Sequence, residues 1–194
     1  MKTTVSLLLL TFVCLTVAFA QTPAKPAQPT TPPTISQILD RSLGYPESEV
    51  VPAADAMPDD KFEFAPAASM GDFKGVRTFG QQVRHIAAVQ YMICAAIQGE
   101  KPPVDLGGEN GPATMKTKAD SVKFLKDSFA YCHAAYKTIN ESNATAQVQS
   151  PFGTNKMSKL SLAVLTVGHD FDHYGQMVEY LRMNNVVPPA SRGQ

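Results

Sequence analysis

Apolar residues recur every three or four positions along four stretches of this chain, and no stretch alternates with the period of two that a half-buried strand requires. The first, residues 34–57, reads as two pieces. Thr34 caps a short helix over 34–43 with Ile35, Ile38 and Leu39 on one side and Gly44 at its end; Val50, Val51, Ala54 and Met57 mark a second piece over 47–57. Pro52 weakens any helix that begins much earlier, so the pattern predicts a first bundle helix that is broken or kinked. Residues 58–77, with Asp59, Asp60, two further glycines and isolated aromatics, predict a packed loop. Thr78 with Gln81 three residues on is a capping-box start, and the helix it opens runs to about Gln98 with Gln81, His85, Ala88, Val89, Met92 and Ala96 on one face.

Residues 99–117 are rich in proline and glycine, too long for a tight helical hairpin, and long enough to cross the full length of a bundle. A third helix over 119–140 shows a core seam of Val122, Leu125, Phe129, Cys132, Tyr136 and Ile139. A polar stretch and a break at 151–155 follow. Ser158 then opens the last helix, about 26 residues long, which ends at Asn184, Asn185, Pro188 and Pro189. The economical fold is an all-α four-helix bundle.

The ends of the chain change the picture. Lys2, an apolar run from Val5 to Ala18 and then Ala18-Phe19-Ala20 before Gln21 have the layout of a cleavable secretory signal over residues 1–20, which places the product outside the cytoplasm, secreted or periplasmic. Residues 21–33, rich in Pro, Thr, Ala and Gln, read as a disordered linker, leaving 34–194 for the bundle. Without Lys2 the basic residues number one fewer than the 17 acidic ones, so charge supplies no attraction to nucleic acid or to an anionic membrane. Cys94 and Cys132 remain beyond the leader, and their spacing is not that of a redox or zinc CxxC motif; a disulfide and two buried thiols are both open. No nucleotide-binding glycine motif and no Gly-x-Ser-x-Gly elbow is present.

The candidate chemistry lies in the last helix. Leu162, Leu165, Thr166, His169, His173, Gln176, Met177 and Tyr180 share one face, so His169 and His173 stand one turn apart among core residues. Two inward imidazoles with no acid at the centre of their face are most simply satisfied by a shared metal ion. The chain has four histidines, so a third ligand comes from His85, His133 or a carboxylate. His133 alone reads as structural or exposed, and Cys132 as packing. Asp170 and Asp172 flank the pair, and Asp172 is the better placed to orient a ring or accept a proton; with Gln176 it forms the expected pair of polar groups beside the metal. The opposite side of the helix carries Leu160, Val164, Val167, Phe171 and Val178, an apolar stripe that suggests a homodimer.

His169-xxx-His173-Tyr174-Gly175-Gln176, followed by Tyr180-Leu181-Arg182 and Val187-Pro188-Pro189-Ala190-Ser191, resembles the last helix and tail of the DinB-like family, which includes the YfiT-like metalloproteins. Thr78-Phe79-Gly80-Gln81-Gln82-Val83-Arg84-His85 resembles that family's second helix with its first metal histidine, and Ala56-Met57-Pro58-Asp59-Asp60-Lys61 the end of its first. The resemblance implies an up-down-down-up bundle with 99–117 as the long crossover, and a divalent metal held by His85, His169 and His173. It also implies parallel second and third helices, in which Cys94 and Cys132 lie at similar heights and His133 lies well below His85. Zinc or nickel heads the metals such a site accepts, with iron, manganese and cobalt compatible. The activity implied is metal-dependent chemistry on an unidentified small molecule, either hydrolysis or thiol-dependent transfer; a non-catalytic metal-binding bundle is the alternative. Export disfavours the thiol route, since such thiols belong to a reducing cytosol.

Overall fold

The computed structural model describes residues 31–193, so the signal-like segment and most of the linker lie outside the described residues. Four helices form the body: α1 (Ile35–Ala56), α2 (Phe79–Gln98), α3 (Lys118–Tyr136) and α4 (Lys159–Met183). Two short strands, β1 (Gln147–Gln149) and β2 (Lys156–Ser158), pair antiparallel just before α4.

The first helix corrects the two-piece expectation. It runs unbroken through Gly44, Pro46 and Pro52, because Leu39, Leu43, Pro46, Val50, Ala53 and Ala54 form one buried line along it. Burial of that line offsets the backbone hydrogen bonds that the prolines remove. Its start agrees with the sequence reading, since Thr34 and Gln37 form a complete capping box. Thr78 and Gln81 repeat the device at α2, and Gly99 closes α2 in the left-handed conformation with φ 77°.

Pairs of contacting side chains give the helix directions. Gln82 meets Gln176 and Gln90 meets Asp170, so α2 and α4 are antiparallel. Arg84 with Ser121, Gln90 with Ser128 and Cys94 with Cys132 rise together, so α2 and α3 are parallel. Asp40 with His133 and Asp55 with Lys126 run in opposite senses, so α1 and α3 are antiparallel. The bundle is therefore up-down-down-up, and the parallel pair requires the long crossover between Gln98 and Lys118.

Cys94 and Cys132 form a disulfide between α2 and α3, which answers the question their spacing left open. Closing a loop of sequence separation 38 is worth about 4 kcal/mol through the unfolded state. The β-hairpin was not expected, because three-residue strands are too short to show a period. It helps to set the start of α4, whose Lys159 and Leu160 amides donate to the Ala146 and Ala144 carbonyls.

One side of α4 stays uncovered in the single chain. Val164 is 60% exposed and Phe171 40%, as the expected outer stripe requires. Leu165, expected on the inward face, is also exposed, because the line Leu162, Thr166, His173, Met177 and Tyr180 faces the core and Leu165 stands at its edge. Among the described residues no helix is long and apolar enough to cross a membrane.

Candidate metal centre

His85 lies two turns inside α2, and His169 and His173 lie one turn apart on α4. The antiparallel packing of these helices brings the three rings together, with centroids 4.5 to 5.0 Å apart. One ligand atom from each lies within 4.8 Å of the others. The Nε2 atoms of His85 and His169 are 3.1 Å apart, close to the roughly 3.3 Å separating two nitrogens that share a tetrahedral zinc at ordinary bond lengths.

Each ring has a different support. The carbonyl of Glu109, in the crossover, lies 2.6 Å from His85 Nδ1, so that nitrogen carries the proton and Nε2 is left free to coordinate. The crossover can come this close because Gly111, at φ 78°, has no side chain; a Cβ there would lie 2.7 Å from Arg84 Cβ. His173 is buried, and its Nδ1 has no hydrogen-bond partner. Burial, then the charges of His169, His85 and Arg77, push its pKa down to about 3, so the ring is held neutral. Burial also lowers His85, against the pull of the Glu109 carbonyl. Neutral rings are what coordination needs, and a buried ring nitrogen with nothing to bind fits a metal better than it fits a packed core. His169 is the more open ligand, its side chain 19% exposed.

Behind the rings lies a buried polar chain. Asp170 is fully buried, and its Oδ2 accepts from Gln90 Nε2 at 2.8 Å; Gln90 Oε1 in turn accepts from the Ser128 hydroxyl at 2.6 Å. The other oxygen, Oδ1, has no hydrogen bond and lies 3.7 Å from His169 Nδ1, which has none either. Burial pushes the Asp170 carboxyl up, with His169 and Gln90 pulling the other way. The place beside a ring that the sequence reading gave to Asp172 therefore belongs to Asp170. Asp172 is exposed and accepts from Gln176 Nε2 at 3.2 Å, while Gln176 Oε1 accepts from Gln82 Nε2 at 2.7 Å. These two form a line of polar groups with Gln82, whose Oε1 is buried without a partner.

A family model of the DinB superfamily matches residues 47–177, most of the chain. The chain belongs to the DinB superfamily. Among solved structures it is similar to a DinB-like protein from Bacillus cereus, with a TM-score of 0.63 and 17% identity over 80% of this chain and 96% of that one. A DinB-like protein from Bacillus subtilis is similar over 76% of this chain and 92% of that one, with a TM-score of 0.58 and 15% identity. Both likenesses support the bundle. No curated protein matches.

For this DinB superfamily member the sequence reading brought together His85, His169 and His173, and the structure places all three in one cluster. It missed Arg77, Gln82, Gln90, Ser128 and the Glu109 carbonyl. Gln82 and Gln90 did carry a signal, as two amides on a helix that is otherwise apolar on its buried side apart from His85. The Glu109 contact carried none, because a backbone carbonyl has no identity in a sequence.

Proposed function

We propose that this chain is an exported metalloprotein that holds one divalent ion on His85, His169 and His173 and uses it for hydrolytic chemistry on a small molecule. The convergence of three imidazole ligand atoms within 4.8 Å, one ring buried with an unpartnered nitrogen, carries the reading. When bound, a divalent ion on three neutral ligands supplies Lewis acidity, polarising an acyl or phosphoryl oxygen or acidifying a water. The protein's own part is to hold the His85 and His173 rings neutral, to orient His85 through Glu109 and to leave the His169 side open. Asp172 and Gln176 are the polar groups proposed to meet the substrate there.

A site serving only to brace the fold would be closed on all sides, and the partial exposure of His169 favours the catalytic reading over that one. The Cys94–Cys132 disulfide supports export, since such bonds persist in oxidising compartments, and it weighs against thiol-dependent transfer. The uncovered stripe around Val164 and Phe171 supports pairing with a second copy, to be tested by the mass in solution of wild type beside Phe171→Glu.

The deciding measurement is elemental analysis after mild chelation and re-addition of single metals, which also names the metal among zinc, nickel, iron, manganese and cobalt. About one equivalent in wild type and almost none in His85→Ala or His169→Ala is the expected result. Equal metal in all three proteins would overturn the site.

A further inference from the structure

Arg77 is the residue just before the cap of α2, and its position is set from two sides. The Tyr180 hydroxyl donates to its carbonyl at 3.1 Å, tying its backbone to α4. Its Nε donates to Asn110 Oδ1 at 2.8 Å, and one terminal nitrogen lies 3.7 Å from Glu109 Oε2. The carbonyl of that same Glu109 is the group that orients His85. Glu109 thus touches both His85 and the guanidinium, which brings the guanidinium to the neighbourhood of the His85 edge of the cluster. Its charge is felt at both His85 and His173.

A clamp for the crossover is the plain explanation of Arg77, and it accounts for only part of the geometry. Of the five guanidinium donors only that on Nε is at hydrogen-bond distance from a partner among the described residues; the approach to Glu109 is too long for a hydrogen bond, and that carboxylate is more than half exposed. The planar fork is otherwise uncommitted, on the side of the cluster where Glu109 meets His85. Of the acids around the cluster, Glu109 faces Arg77 but is more than half exposed to screening solvent, Asp170 lies in the core behind the rings, and Asp172 is exposed. A divalent ion on three neutral rings would add two further positive charges.

We infer that Arg77 and the metal together recognise an oxyanion, so that the substrate of this site carries a carboxylate or phosphate group next to the bond that reacts. The inference rests on the metal reading and narrows its substrate class. Arg77 is a specificity-determining residue in this account, with its fork suited to two parallel hydrogen bonds to such a group.

Cobalt(II) serves as the test metal because its visible absorption reports changes in its ligands. Cobalt-loaded wild type, Arg77→Met, Arg77→Lys and Asn110→Ala are each titrated with inorganic phosphate and, separately, with acetate. A saturable spectral change is expected in wild type, weakened about tenfold or more in Arg77→Met and less in Arg77→Lys, with cobalt content and thermal melting unchanged. Asn110→Ala frees the crossover contact without removing the charge and is expected to lose no more than about threefold. A tighter response to phosphate assigns the phosphoryl class and a tighter response to acetate the carboxylate class. Equal anion affinity in wild type and Arg77→Met, or an Asn110→Ala loss as large as that of Arg77→Met, overturns the role of Arg77. Failure of wild type to take up cobalt overturns the metal reading itself and this inference with it.

Discussion

The bundle holds its four histidines in two opposite environments. His133, on α3, has Asp40 Oδ1 2.6 Å from one ring nitrogen and Glu47 Oε2 2.9 Å from the other, both on α1. Burial alone would lower its pKa, but the hydrogen bonds and charges of these two carboxylates outweigh burial and raise it. His85, His169 and His173 have one another instead of carboxylates within hydrogen-bond reach, and the pKa values of His85 and His173 are lowered. The same side chain is thus a cationic strut between α1 and α3 in one place and, at His85 and His173, a neutral ring able to coordinate between α2 and α4 in the other. Burial alone does not distinguish them, since both groups lie at helix interfaces. The deciding difference is whether a carboxylate faces the ring nitrogens.

Asp170 offers the sharpest way to probe that difference, because among the described residues it is the buried acid that stands beside the imidazole cluster yet stops short of a hydrogen bond to its rings. Bound metal on His169 Nε2 would leave the proton on Nδ1, facing Asp170 Oδ1. Asp170→Asn keeps the shape and can keep the bond from Gln90, but it removes the charge that holds that proton. Metal affinity is expected to fall about 10- to 100-fold, measured by competition with a chelator of known affinity, with the fold retained. Unchanged affinity would reduce Asp170 to a packing residue.

The strut and the ligand cluster were not equally legible in the sequence. His169 and His173 could be found because a fixed helical spacing puts them on one face, and the fold supplied only their partner. His85 could be placed against them only through the resemblance to the DinB-like family, which also implied the parallel α2 and α3 that set His133 at another level. His133 read as structural or exposed, but its partners carried no signal, since Asp40 and Glu47 lie far away in sequence and meet it only when α1 packs against α3. Asp170 and Asp172 flank the same histidine face, and periodicity could not say which would fall against α2. The continuity of α1 through Gly44, Pro46 and Pro52 was hidden for a related reason: local preference argued for a break, and burial along one line overrode it.

Acid acts on the two environments with opposite sign. His173 has a folded pKa of about 3 against about 6.5 in the unfolded chain, so between those values the unfolded state binds more protons. The metal-free protein should therefore lose stability as pH falls below about 6.5, by roughly 1–2 kcal/mol between pH 7 and pH 5. Metal removal by dialysis followed by melting at pH 7 and pH 5 measures this. His173→Gln should abolish much of the difference, and a melting temperature equally pH-dependent in that variant would show that other groups carry it.

The smallest expected effect belongs to the strut. A raised folded pKa means that the folded state holds the proton more tightly, so the contribution of His133 is complete below about pH 6.5 and fades as pH rises through the folded value. The three side chains are partly exposed, at 22%, 38% and 39%, so solvent screens both pairs and the contribution is about 1 kcal/mol or less. His133→Gln should accordingly lower stability at pH 6 and converge on wild type at pH 9, with metal content unchanged at both. A variant that lost metal at pH 9 while its stability matched wild type would tie the strut to the cluster. Retained metal would show that one bundle keeps its charged and its neutral histidines as independent devices, separated by which helix faces bring acids to them.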